Sequence, residues 1–188
     1  MRLWEITNDL IGQVSMLVVT EADRLNLHFW DQFSDDGSPM HWDQCPKLQP
    51  SVDKKRKKQK PRADISPFRP GCMVLNGKSR KALGDFLAQF GQLLEVDVLG
   101  EVEYYYNVTH IIASVDLDRS EVVPGGFVKT PAFNESAIPA QAVVFKDPAV
   151  RSSIYVNEAA KSELENRIAE CGISGMAFKQ IWGTTHDA

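Results

Sequence analysis

The chain has 188 residues, 43% hydrophobic, 9% aromatic and 24% charged, the balance of one folded domain and not of a disordered or fibrous chain. Its longest apolar runs, such as Ser15–Val19 and Ala142–Phe145, fall far short of the ~20 residues that cross a bilayer. The three cysteines, Cys45, Cys72 and Cys171, are too few and too scattered for a disulfide framework or a Cys-x-x-Cys site.

The start of the chain, Met1-Arg2-Leu3-Trp4-Glu5-Ile6, turns polar at Thr7 and lacks the apolar core of a signal peptide, so cytoplasmic residence without a membrane partner is expected. Leu3–Ile6 and Ser15–Thr20 carry enough β-branched and large apolar side chains to predict strands, opening the fold as a hairpin or meander. Between Ala22 and Phe33 the apolar spacing fits neither helix nor strand.

Residues 34–70, broken by Pro39, Pro46, Pro50, Pro61, Pro67 and Pro70, predict a long, mobile loop. At its centre stand Lys54, Lys55, Arg56, Lys57, Lys58, Lys60 and Arg62. Setting those seven cations aside lowers the formal charge of the remainder from −4 to −11. Such a tract could neutralise phosphates, but it has no interleaved aromatic ring for base stacking and the remaining acidic surface would repel a polyanion.

Regularity returns with a short run at Met73–Leu75 and a helix over Ser79–Phe90, capped by Ser79 and ended by Gly91, with Ala82, Leu83, Phe86, Leu87 and Phe90 on one face. Leu93–Leu99 and Val102–Val108 flank Gly100-Glu101 as a β-hairpin. Phe127–Thr130, Ala142–Phe145 and Ile154–Val156 are further strands. Asn157 caps a helix with Ala160, Leu164, Ile168 and Cys171 at helical spacing and Gly172 at its end, and Ala177–Trp182 closes as a strand. Without regular alternation of strand and helix, the fold class is α+β: a mostly antiparallel sheet with two main helices packed against it, in one domain over 1–188.

Catalytic patterns are weak. Gly71 to Ser79 mimics a phosphate-binding loop but places five residues, not four, before Gly77-Lys78. His41 and Cys45 are a pair, not a zinc set, and no nucleophile elbow or His-Glu-x-x-His is present. No catalytic residue, metal or cofactor is therefore expected. Glu101 and Glu103 fall on one side of their strand, where the commoner meaning is an acidic edge. The acidic remainder of the chain would steer a basic protein toward it.

From Met73 onward the chain resembles an immunity-protein family of bacterial polymorphic toxin systems, number eleven in that series and formerly a domain of unknown function. The likeness covers well over half the chain. It runs through Val74-Leu75-Asn76, the helix around Leu83 to Phe90, Leu93-Leu94-Glu95-Val96, and Tyr104-Tyr105-Tyr106-Asn107-Val108-Thr109. It continues through Val115-Asp116-Leu117-Asp118-Arg119-Ser120, Val144-Phe145-Lys146, Ile154-Tyr155-Val156, Cys171-Gly172-Ile173, and Phe178-Lys179-Gln180-Ile181-Trp182.

The resemblance implies a protein without enzyme activity that binds and neutralises a cognate toxin encoded by an adjacent gene, and the acidic remainder of the chain suits a basic nuclease-type toxin. An acidic contact surface would draw on Glu101, Glu103, Asp116, Asp118 and Glu121. The stretch Asp116–Ser120 also suits a turn in which short polar side chains bond nearby backbone. The competing expectation is an accessory protein that binds nucleic acid or another polyanion through 54–62.

Overall fold

A computed structural model of the chain describes residues 1–8, 10–21, 23–24, 30–33, 36–53 and 58–183. Among them, two sheets share one apolar layer with two helices. The six-stranded sheet has the order β2-β3-β8-β9-β7-β6, with β2 at Leu17–Val19, β3 at Lys47–Pro50, β6 at Ile65–Pro67, β7 at Met73–Leu75, β8 at Gly91–Val98 and β9 at Glu101–Val108. The four-stranded sheet has the order β12-β13-β1-β14, with β1 at Leu3–Thr7, β12 at Val144–Asp147, β13 at Val150–Asn157 and β14 at Ala177–Trp182. Neighbours are antiparallel except β3 and β8.

Period-two alternation explains how both sheets are buried on two faces. In β9, Tyr104 and Tyr106 turn toward one core while Tyr105 turns toward another, and in β13 Ile154 and Val156 oppose Tyr155. The shared core joins Trp4, Val144 and Ile154 of the smaller sheet to Met73, Leu75 and Tyr106 of the larger one through Leu83, Leu87 and Leu164 of the helices. Behind the larger sheet, Phe33, Trp42, Phe68 and Tyr105 pack ring against ring.

The helices follow their caps. Helix α1 spans Gly77–Leu87 and α2 spans Glu158–Cys171. Asn157 accepts from the Ala160 amide at 3.0 Å, and Gly172 ends α2 in the left-handed conformation. Asn76, not Ser79, caps α1: its Oδ1 accepts from the Ser79 amide at 2.9 Å, because Ser79 already lies inside the first turn and is fully buried. The helix stops at Leu87, leaving Phe90 outside it, while Gly91 begins β8.

Other expectations change too. Strands β1 and β2 do not form a hairpin, because β1 is paired on both sides by the late strands β13 and β14. Residues 34–70 are not one irregular loop: they hold β3, β6 and a small hairpin of β4 (Val52–Asp53) and β5 (Lys58–Gln59). Those strands are two to four residues long and start or end near prolines, too short to leave a periodic signature. Cys171 is exposed, whereas Ala160, Leu164 and Ile168 of the same helical spacing pack on the core. Lys54–Lys57 and the segment 25–29 lie outside the described residues.

Candidate functional site

The acidic residues do not form one surface. Glu101 opens β9 and faces solvent beside the tight turn Leu99-Gly100, whereas Glu103, two residues on, is 4% exposed and held by Arg62. Its carboxylate is consumed inside the fold. Asp116, Asp118 and Glu121 stand together on β10 (Val115–Val122), which among the described residues pairs only with β11 (Val128–Phe133), in a separate two-stranded sheet.

This β10–β11 arm is anchored at its base and open beyond it. Phe133 is buried and meets the Trp182 ring of β14 at 5.9 Å between centroids. Arg119 donates to the Phe133 carbonyl at 2.8 Å and to Asp116 at 2.6 Å, and its guanidinium lies over Trp182. Outside the base, Leu117, Val122 and Phe127 face solvent, Phe127 with 74% exposure beside Gly125-Gly126. An isolated pair of strands is marginal on its own.

The stretch Asp116–Ser120 forms a turn within β10. Asp116 Oδ1 accepts from the amides of Asp118 and Arg119 at 3.1 and 3.2 Å, and the Ser120 hydroxyl donates to the Asp116 carbonyl at 2.6 Å. The result is a bulge, with the register to β11 shifting between Asp116 and Glu121. The hydrogen bond from Arg119 holds the Asp116 carboxyl below the usual range, and bonds from Lys129 and Thr130 do the same for Glu121. Asp118 presents its carboxylate to solvent with no partner among the described residues.

At the root of the basic tract, Lys60 Nζ donates to the Gly12 carbonyl and Arg62 holds Glu103. Ser15 joins both sides of the β4–β5 hairpin, donating to the carbonyls of Ser51 and Lys60. Lys78, in the loop that mimics a phosphate site, is occupied by the Gly172 carbonyl at 2.6 Å and by Asp64 at 3.5 Å. Among the described residues, no three His, Cys, Asp or Glu side chains converge as a metal set.

Sequence reasoning located the acidic residues of the arm but missed its apolar ones. Phe127 next to two glycines was the available signal, since a large ring at a flexible turn has little fold to bury it. The arrangement defines an α+β protein with an open two-stranded arm, and none of its helices among the described residues is long and apolar enough to cross a membrane. No protein-family model and no curated protein matches the chain.

Proposed function

We propose that this protein is an immunity protein that binds and neutralises a cognate toxin, with the β10–β11 arm as its contact surface. The observation that carries this reading is Phe127, exposed at the end of the arm alongside Leu117, Val122 and the unpaired Asp118. Interfaces concentrate binding energy in a few aromatic anchors surrounded by polar groups, and carboxylates beside such an anchor favour a basic partner. The ordered likeness of Val115–Ser120 and the other motifs to the immunity family supplies the partner class.

The test is coexpression with the product of the adjacent gene. Protection of the cells and a complex in pull-down are expected, and Phe127→Ser and Asp118→Lys should each weaken the complex by about tenfold or more. A chain that neither protects nor binds would refute the reading. The competing nucleic-acid reading is weakened by Lys60 and Arg62, which serve the fold. It would return if the protein bound DNA or RNA with steep salt dependence.

A further inference from the structure

The larger sheet is only partly covered on the face that meets the helices. Period-two alternation and the β8–β9 register place Leu93, Glu95 and Asp97 on that face directly opposite Tyr106, Tyr104 and Val102. Tyr106 lies in the shared core beneath α1, where its hydroxyl donates to the Leu87 carbonyl at 3.0 Å. Further along, the face opens: Tyr104 is half-buried, Val102 is 55% exposed and Glu95 faces solvent.

Helix α1 lays one side chain over this opening. Arg167 of α2 donates to Asp85 at 2.6 Å and to the Ala82 carbonyl at 3.3 Å, which fixes the flank of α1 that meets α2. At about 100° per residue, Arg80 falls on the opposite flank. It folds back along the helix over Gly84, where a Cβ would run into its guanidinium, and it lies 5.4 Å from the centre of the Tyr104 ring. The guanidinium is held between helix and ring, yet no ion pair or hydrogen bond reaches it among the described residues, and its Nε is buried without an acceptor. A guanidinium carries five donors, and a buried one left unmet is costly.

Glu95, across from Tyr104, is likewise unpaired among the described residues. A free cation and a free anion therefore border one half-buried ring and one exposed valine. A basic partner would satisfy Glu95 and repel Arg80, and an acidic partner would do the reverse. A second copy turned about a two-fold axis satisfies both, because such an interface is self-complementary and carries Arg80 of each copy to Glu95 of the other.

We propose that the chain pairs with a second copy of itself through this patch, with Tyr104 and Val102 at the centre and two reciprocal Arg80–Glu95 contacts around them. The patch lies on a different sheet from the arm and does not depend on the toxin reading.

Sedimentation velocity of the full chain, over about a hundredfold range of concentration and at low and high salt, tests it. The parent chain should pass from monomer to dimer as concentration rises, and less readily in high salt. Arg80→Glu and Glu95→Arg should each weaken the dimer by about tenfold or more, since either change sets like charges against each other at both contacts. Mixed in equal amounts, the two variants should associate about as tightly as the parent chain, because both contacts then join opposite charges again. Misfolded chains could not recover in this way. The proposal is overturned by a parent chain that stays monomeric throughout, which would leave Arg80 to some other partner, or by assemblies that grow beyond the dimer. It is equally overturned by single variants that associate like the parent, or by a mixture that stays monomeric.

Discussion

Arg62 grips Glu103 with two parallel hydrogen bonds, Nη1 to Oε1 at 2.5 Å and Nη2 to Oε2 at 2.6 Å, while the second nitrogen also donates to Ser66 at 3.1 Å. A fork-to-fork pair of this kind fixes direction as well as distance. It ties the segment that follows β5 to β9.

Breaking that pair should be costly, because Glu103 is buried and Arg62 is three-quarters covered. Replacing Glu103 by Gln leaves a guanidinium in a confined site without its counter-charge, and the expected loss is about 2–3 kcal/mol. Urea unfolding measures it. The double variant Arg62→Met with Glu103→Leu should lose less than the two single changes added together, since no orphan charge remains. A Glu103→Gln protein as stable as the parent would show the pair to be incidental.

Asp64 predicts how stability responds to acid. Burial raises its pKa, but hydrogen bonds from Asn76 and Ser174 and the charge of Lys78 outweigh this and hold the carboxyl below its ordinary value. With the folded value depressed, its contribution is complete above the ordinary aspartate range and fades as pH falls from about 4 toward the lower folded value. The bonds join three elements: Asn76 caps α1, Ser174 follows α2, and Asp64 precedes β6. Asp64→Asn should cost about 2 kcal/mol at neutral pH and should flatten the fall in stability below about pH 4. Thermal melts across that range compare the two proteins.

Asn8 and Gly175 link the two sheets. The Asn8 amide donates to the carbonyls of Ile65 at 3.1 Å and Gly175 at 2.8 Å, bridging β6 of one sheet to the segment entering β14 of the other. Gly175 has φ +94°, and a Cβ there would stand 2.2 Å from the Ile65 oxygen. Gly175→Ala therefore combines strain with a backbone clash and should cost about 3 kcal/mol or more. Asn8→Ala, which only removes the donors, should cost about 2 kcal/mol. Denaturant midpoints at constant m would confirm that ordering, and a neutral Gly175→Ala would contradict it.

The elements that could be read from the sequence are those whose signal is local. Asn157 and Gly172 mark both ends of α2, and Leu93 to Val108 shows its hairpin through alternation, although the turn falls at Leu99-Gly100 and not at the expected Gly100-Glu101, since Glu101 already pairs with Val98. What stayed hidden depends on distant partners. Leu48 and Pro50 are the buried residues of β3, and that strand exists because β2 and β8 flank it. The pairing of Glu103 spans 41 residues, so alternation alone could put it on the same side as Glu101 but could not tell that one is open and the other closed. Phe127 reads from the sequence as the first residue of a strand, but β11 begins at Val128 and leaves the ring exposed beside the turn, because exposure depends on what fails to pack over it.

Arg119 tests whether the arm owes its order to its root. Its side chain spans Asp116, the Phe133 carbonyl and the Trp182 ring, and the arm's other contacts beyond the base, Glu121 with Lys129 and Thr130, stay within the arm. Arg119→Ala removes the guanidinium from over Trp182 while the Phe133 ring against Trp182 and the Val115 amide on Asp147 stay in place. Exposed ion pairs contribute little to global stability, so the unfolding free energy should change by about 1 kcal/mol or less. Local opening should respond far more, with amides of β10 and β11 exchanging faster while those of β8 and β9 keep their protection. Hydrogen exchange resolved along the chain separates the two regions: a uniform rise everywhere would place Arg119 in the global fold, and an unchanged arm would show that Phe133 and the bond from Val115 to Asp147 are sufficient to hold it.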